Sequence, residues 1–251
     1  MIVDLEERKR KLREFFDLDA DARLLGDGEA EFELSAKAAE GLEHFNIEWQ
    51  IIPAAEALPL DDAYFSRLYA AASRDFARSH AHGPSYRERL VAGHRQHQGR
   101  LIGVEAIQKP GYLPDKRQFY GSHYGFDPSA DPFAAYMGRA GMMNGTRYDH
   151  NYLALREFVR IVTEDWRARQ LLPTGYRVTV CPPAIFNLIG NVFHPEWSDT
   201  ETLELGFYRD AEGNATCYAV GSNQPGDFSY INEIEGEDWS LMGFRVALVP
   251  E

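Results

Sequence analysis

The sequence has only two cysteines in 251 residues, Cys181 and Cys217. Two thiols so far apart cannot form zinc-type cysteine pairs. Each lies in an apolar, strand-like context, which predicts free buried thiols and a reducing, cytoplasmic setting. No stretch approaches the roughly 20 apolar residues of a membrane span. Met1 to Arg13 is charged and has no long apolar run, so no signal peptide is expected there. Positive charge is also in deficit: 26 Lys and Arg stand against 39 Asp and Glu, for a net charge of −13. That balance argues against binding a phosphate backbone, which needs a basic surface. The catalytic motifs missing are a Gly-x-Ser-x-Gly elbow, a Gly-Lys-Ser/Thr phosphate loop and a Gly-x-Gly-x-x-Gly strand–helix turn. Internal repeats, low-complexity tracts and heptad runs are missing too.

What is present is enough for one α+β domain over residues 1–251, since 44% of the chain is hydrophobic. Asp4 caps a first helix, with Glu6 and Glu7 in its first turn. Strands are expected at Glu29 to Leu34 and Phe45 to Ile52. Asp61 to Ser79 reads as a helix on Phe65, Leu68, Ala72 and Phe76, and Tyr86 to His97 as another. Asp149 to Gln170 is the strongest helix, with Leu155, Phe158, Val159, Val162 and Trp166 on one face. Tyr176 to Val180 is a strand ended by Pro182-Pro183, and Ala184 to Val192 is a short buried helix. Leu203 to Tyr208 and Ala215 to Val220 flank Asp210-Ala211-Glu212-Gly213-Asn214, a hairpin signal. Phe228 to Ile234 and Leu241 to Val249 add two more strands. Helices in the first two-thirds would pack on a largely antiparallel sheet with a C-terminal β-meander.

One residue breaks the pattern. Arg100-Leu101-Ile102-Gly103-Val104-Glu105-Ala106-Ile107 reads as a buried strand, and Glu105 is a carboxylate inside it. Such a group is paired, exposed at an edge, or held at a raised pKa in a pocket. A structural Glu–Arg pair and a proton-moving role are both compatible with it. Upstream lies a basic, histidine-bearing stretch with His80, His82, Arg87, Arg89, His94, Arg95 and His97, which suits acid–base chemistry on an anionic small molecule. Downstream, Pro110 to Gly145 is rich in glycine, proline and aromatics, among them Phe119, Tyr120, Tyr124 and Phe133. It reads as a pocket wall or lid over 110–147, with a short helix near Phe133 to Met137. Gly138 to Arg147 leads into a helix and offers a weaker anion cradle, though its glycines also serve tight turns.

The segment from His94 through Gly99-Arg100-Leu101-Ile102-Gly103-Val104-Glu105-Ala106-Ile107-Gln108-Lys109-Pro110 to Arg117-Gln118-Phe119-Tyr120-Gly121 resembles the McbB-type bacterial Pictet–Spenglerases, which build β-carbolines. The resemblance covers about thirty residues, in a chain of matching size. It implies a cofactor-free homodimer that joins tryptophan, or a related aromatic amine, to an aldehyde. It implies Glu105 as the catalytic acid–base, assisted by an upstream histidine (His94, with His97 competing) and an arginine to be found among Arg78, Arg87 and Arg89. Phe119, Tyr120 and Tyr124 would then face the substrate. Two other readings stay open: a non-haem metal oxygenase using His94, His97 and Glu105 (or His80 and His82), and a ligand-binding protein without catalysis.

Overall fold

The computed structural model describes residues 4–26, 34–61, 64, 91–107, 131–142, 147, 150–195, 197, 203–209, 215–220, 231–233 and 242–251. Helix α1 (Leu5–Phe16) begins at Asp4, whose carboxylate accepts the Glu7 N–H at 3.0 Å, and buries Leu12 and Phe16. Helix α2 (Ala36–His44) has no counterpart among the expectations. Ser35 caps it by accepting the Ala38 N–H, and Ala38 and Leu42 are its buried side.

Strands β1 (Ile47–Ile52) and β2 (Arg100–Glu105) pair antiparallel, Ile47 opposite Glu105. Gly99, at φ 73°, makes the turn into β2 and donates to the Ile52 carbonyl. Gly103 in mid-strand has a different purpose. A Cβ there would lie 2.9 Å from Leu248 Cδ1 and 3.0 Å from Ile47 Cγ2, so its absence lets neighbouring side chains close over the strand.

Helix α3 (Ala134–Arg139) matches the short helix expected near Phe133. Helix α4 (Tyr152–Ala168) starts later than Asp149, because Asn151 is the residue that caps it, on the Ala154 N–H at 3.0 Å. Its five expected core residues are buried, together with Ile161. Strand β3 (Tyr176–Val180) follows, then α5 (Pro183–Val192), which is buried all round from Pro183 to Gly190.

Strands β4 (Leu203–Arg209), β5 (Ala215–Val220) and β6 (Ile231–Glu233) are consecutive antiparallel neighbours, the expected meander. The final strand differs from expectation. Instead of one run over Leu241 to Val249, β7 (Met242–Phe244) lies parallel to β4 and β8 (Val246–Pro250) lies between β2 and β3. The two four-stranded sheets, ordered β1-β2-β8-β3 and β6-β5-β4-β7, are therefore joined at Arg245. The α+β class holds, and among the described strands pairing is antiparallel except at β4–β7. One apolar core runs through both sheets and their helices. Among the described residues no helix is long and apolar enough to cross a membrane.

The expected strand over Glu29 to Leu34 and most of the helix over Asp61 to Ser79 lie outside the described residues. So do Arg78, Arg87, Arg89, Phe119, Tyr120 and Tyr124. Tyr64 is helical, and Asp61 accepts its N–H at 3.0 Å. The described end of the Tyr86 to His97 helix turns out of helix after residue 95.

Candidate functional site: a buried cluster of two carboxylates and one guanidinium

Glu105 ends β2 and is completely buried. Alternation along the strand turns it to the face of Leu101 and Gly103. It pairs with Arg147, also completely buried; Arg78, Arg87 and Arg89 lie outside the described residues. Nη1 of Arg147 donates to Oε2 of Glu105 at 2.7 Å, and Nη2 to Oε1 at 2.8 Å. The Val246 N–H, where the chain crosses between sheets, adds a third bond to Oε2 at 3.1 Å.

Arg147 holds a second carboxylate. Its Nε donates to Asp131 Oδ2 at 2.6 Å and its Nη2 to Oδ1 at 2.8 Å, while Nη1 reaches the Phe244 carbonyl at 3.3 Å. Five bonds match the five N–H groups of a guanidinium, so none is left for a substrate carboxylate. The rings of Phe133 and Phe244 lie 4.9 and 5.3 Å from its central carbon. Phe158 lies against both rings. Asp131 also accepts the Phe133 N–H at 2.9 Å. Arg147 thus ties together the residues on either side of segment 108–130.

Burial is the largest influence on Glu105 and raises its pKa. Arg147 pulls the other way without cancelling it, and Asp131 pushes it up further. For Asp131 burial is also the largest influence, but Arg147 and the Phe133 N–H outweigh it and the pKa falls. Burial works against the charge on Arg147, yet two carboxylates hold it firmly cationic.

A second buried arginine stands beside this one. Arg245 binds Glu204 through Nε at 3.0 Å and Nη2 at 2.8 Å. Its Nη1 donates to the carbonyls of Glu105 and Ile107 at 2.6 and 2.5 Å. The Trp197 ring lies 3.7 Å from its central carbon. Among the described residues that site closes the end of β2 with matched charge.

The two histidines assigned to Glu105 by resemblance lie elsewhere. His94 Nε2 is 3.3 Å from the Tyr64 hydroxyl, and the Tyr64 ring stacks on Phe16. Nδ1 of His94 and of His97 are buried without a hydrogen-bond partner. Desolvation depresses His94 to about 3, helped by His97. Desolvation, with Arg177 and Arg100, depresses His97 to about 4. Both are neutral at ordinary pH, and no hydrogen bond joins either to Glu105. Of the two ligand sets for an oxygenase, the one that uses Glu105 is weakened, because Glu105 is committed to Arg147; His80 and His82 lie outside the described residues. Among the described residues no three His, Cys, Asp or Glu come together as a metal site. Cys181 and Cys217 are free thiols. Burial lifts Cys181 far above the usual thiol range and Cys217 to about 11, so neither is an activated nucleophile. A shallow surface basin of about 490 Å³, lined by Lys37, Glu40, Gly41, Arg169 and Leu171, shares no residue with the Glu105 cluster.

Arg147 and Asp131 were the residues that sequence reasoning missed. The one available signal was Arg147 itself, a cation in an aromatic, glycine-rich segment just before the best helix. In comparison with known proteins, no family model, no curated protein and no solved structure matches the chain.

Proposed function

We propose that this protein is a cofactor-independent enzyme in which Glu105 moves protons on an aromatic amine, along the lines of a Pictet–Spengler condensation. The observation that carries the reading is a fully buried carboxyl group in a cluster with one more carboxylate than cation. Burial, helped by the second carboxylate, raises its pKa above the ordinary carboxyl value, the direction in which general acid–base catalysis tunes a carboxyl group. The likeness of the segment around Glu105 to β-carboline-forming enzymes supplies the substrate class. An amine and an aldehyde add to give a carbinolamine. The Glu105 carboxyl donates its proton to the hydroxyl, water leaves and an iminium forms. The indole carbon attacks the iminium carbon. The Glu105 carboxylate then takes the ring proton, which restores both the aromatic ring and the starting carboxyl. Since all N–H groups of Arg147 are engaged, a substrate carboxylate needs another cation, and Arg78, Arg87 and Arg89 remain its candidates. A homodimer belongs to the same reading.

A second reading has its own observation. Both Glu105 oxygens are already bonded, to Arg147 and to Val246, which fits a structural keystone between the two sheets. One experiment separates the two. The protein is incubated with tryptophan or tryptamine and a panel of aldehydes, and products are sought by mass spectrometry for wild type and Glu105→Gln. Loss of product at an unchanged melting temperature supports catalysis. Product formation undiminished in Glu105→Gln defeats it, and a lowered melting temperature with no product in either protein supports the keystone.

A further inference from the structure

We infer that Asp131 is a positioning residue that keeps Glu105 in its protonated, proton-donating form, so that the buried cluster holds one proton, on Glu105. The inference rests on the reading of Glu105 as the proton-moving group, and it adds which form the group starts in and what sets it.

The argument is one of charge and geometry. One guanidinium faces two carboxylates, which leaves one negative charge unmatched if both are ionised. Water cannot screen it, because Glu105 and Arg147 are completely buried and the Asp131 side chain is only 8% exposed. Phe133, Phe158 and Phe244 supply an apolar wall. An uncompensated charge in such surroundings is removed by protonation. The neighbouring groups cannot remove it otherwise. Arg245 pulls the Glu105 pKa down, but among the described residues it bonds the Glu105 backbone carbonyl rather than the carboxyl, and it pairs with Glu204. Cys181, the other titratable group close by, is a neutral thiol.

Geometry also selects which carboxylate takes the proton. Asp131 has the shorter contacts, 2.6 and 2.8 Å from Arg147 and 2.9 Å from Phe133, and keeps some solvent contact. Glu105 has 2.7, 2.8 and 3.1 Å and none. Its Oε1 accepts a single N–H, which leaves a lone pair for the proton. The enzyme then begins its cycle as an acid, ready for the dehydration step, and becomes a base only after that step.

The test is isotope-edited infrared spectroscopy of wild type, Glu105→Gln, Asp131→Asn and Asp131→Glu, with 13C-labelled side-chain carboxyls. At pH 7 the wild type should show a protonated-carboxyl band that Glu105→Gln abolishes. Asp131→Asn should abolish it too, because Arg147 then matches Glu105 alone, and Asp131→Glu should keep it. A wild type without the band, or a band unmoved in Asp131→Asn, overturns the inference. Should the variants fail to fold, 13C NMR of the labelled wild type decides. One glutamate and no aspartate held in protonated form at pH 7 supports the inference, and any other pattern overturns it. Failure here is distinct from failure of the proposed function. A missing proton with an inactive Glu105→Gln leaves Glu105 as a base from the start, whereas an active Glu105→Gln removes its catalytic role whatever the spectrum shows.

Discussion

Two buried arginines stand at the same crossover between sheets, and they are solved differently. Among the described residues Arg245 meets one carboxylate, Glu204, and two backbone carbonyls. Its charge is matched, and its role is to seal the end of β2. Arg147 meets two carboxylates and one carbonyl. Its surroundings carry one acid too many. A buried ion pair is weak evidence of stability, because desolvation offsets its attraction. An unbalanced one has no structural advantage over a balanced one. The excess carboxylate in the Arg147 cluster is therefore what sets the candidate site apart from the frame.

The largest expected effect breaks the comparison at its cations. Arg147→Met strands the Asp131 carboxylate and takes two donors from the Glu105 carboxyl, and should cost about 3–5 kcal/mol in urea denaturation, with partial recovery in acid. Among the described residues Arg245→Met strands Glu204 and two carbonyls, so the double variant Arg245→Met/Glu204→Met should recover most of the loss. For Arg147→Met, removing Glu105 alone should not suffice. Equal rescue of the two sites by a single second change would show them to be alike.

Next come the carboxylates. Glu204→Gln removes a charged partner and should cost roughly 1.5–3 kcal/mol at pH 7. Glu105→Gln resembles the protonated form already present and should cost about 1 kcal/mol or less. Similar losses at both positions would erase the distinction between the sites.

The pH dependence sharpens the same contrast. A carboxyl group whose folded pKa is raised stabilises the fold below its unfolded value of 4.5, and that contribution is lost as pH rises through the folded value. Stability of wild type relative to Glu105→Gln should accordingly fall as pH climbs above about 4.5. His94 and His97 act in the opposite sense. Their folded values, about 3 and about 4, lie below the ordinary 6.5, so their contribution is present above 6.5 and is lost as pH falls toward those values. Replacing each with Gln should flatten the acid side of the melting-temperature profile. The smallest effect is expected at the surface. Arg160 bonds Glu157 and Glu164 on the exposed side of α4, and Arg160→Ala should leave the urea midpoint unchanged within error, since water screens such pairs.

Much of the fold was legible from residue order. The apolar spacing in Leu155, Phe158, Val159, Val162 and Trp166 can only be read as a helix face. The β-rich run Tyr176 to Val180 stops at two prolines that cannot continue it. The meander strands announced themselves through the loop at Asp210 to Asn214. Helix α2 went unseen because its short sequence, AKAAEGLEH, has only a thin apolar stripe, and its start rests on one capping serine. The split at Arg245 was hidden inside Leu241 to Val249, where an apolar run looked continuous.

Glu105 marks the boundary between the two kinds of knowledge. Sequence by itself determined that a carboxylate would sit inside an apolar strand, because alternation and composition are local properties. It also determined that the carboxylate needed a cation or a proton, since a bare charge cannot be buried. Which cation came only from tertiary structure: Arg147 is 42 positions from Glu105, and Asp131 lies 16 positions before Arg147. Side-chain pairing across such separations depends on how β2, the Phe133 turn and the Arg245 crossover meet in space, and no local pattern encodes that meeting.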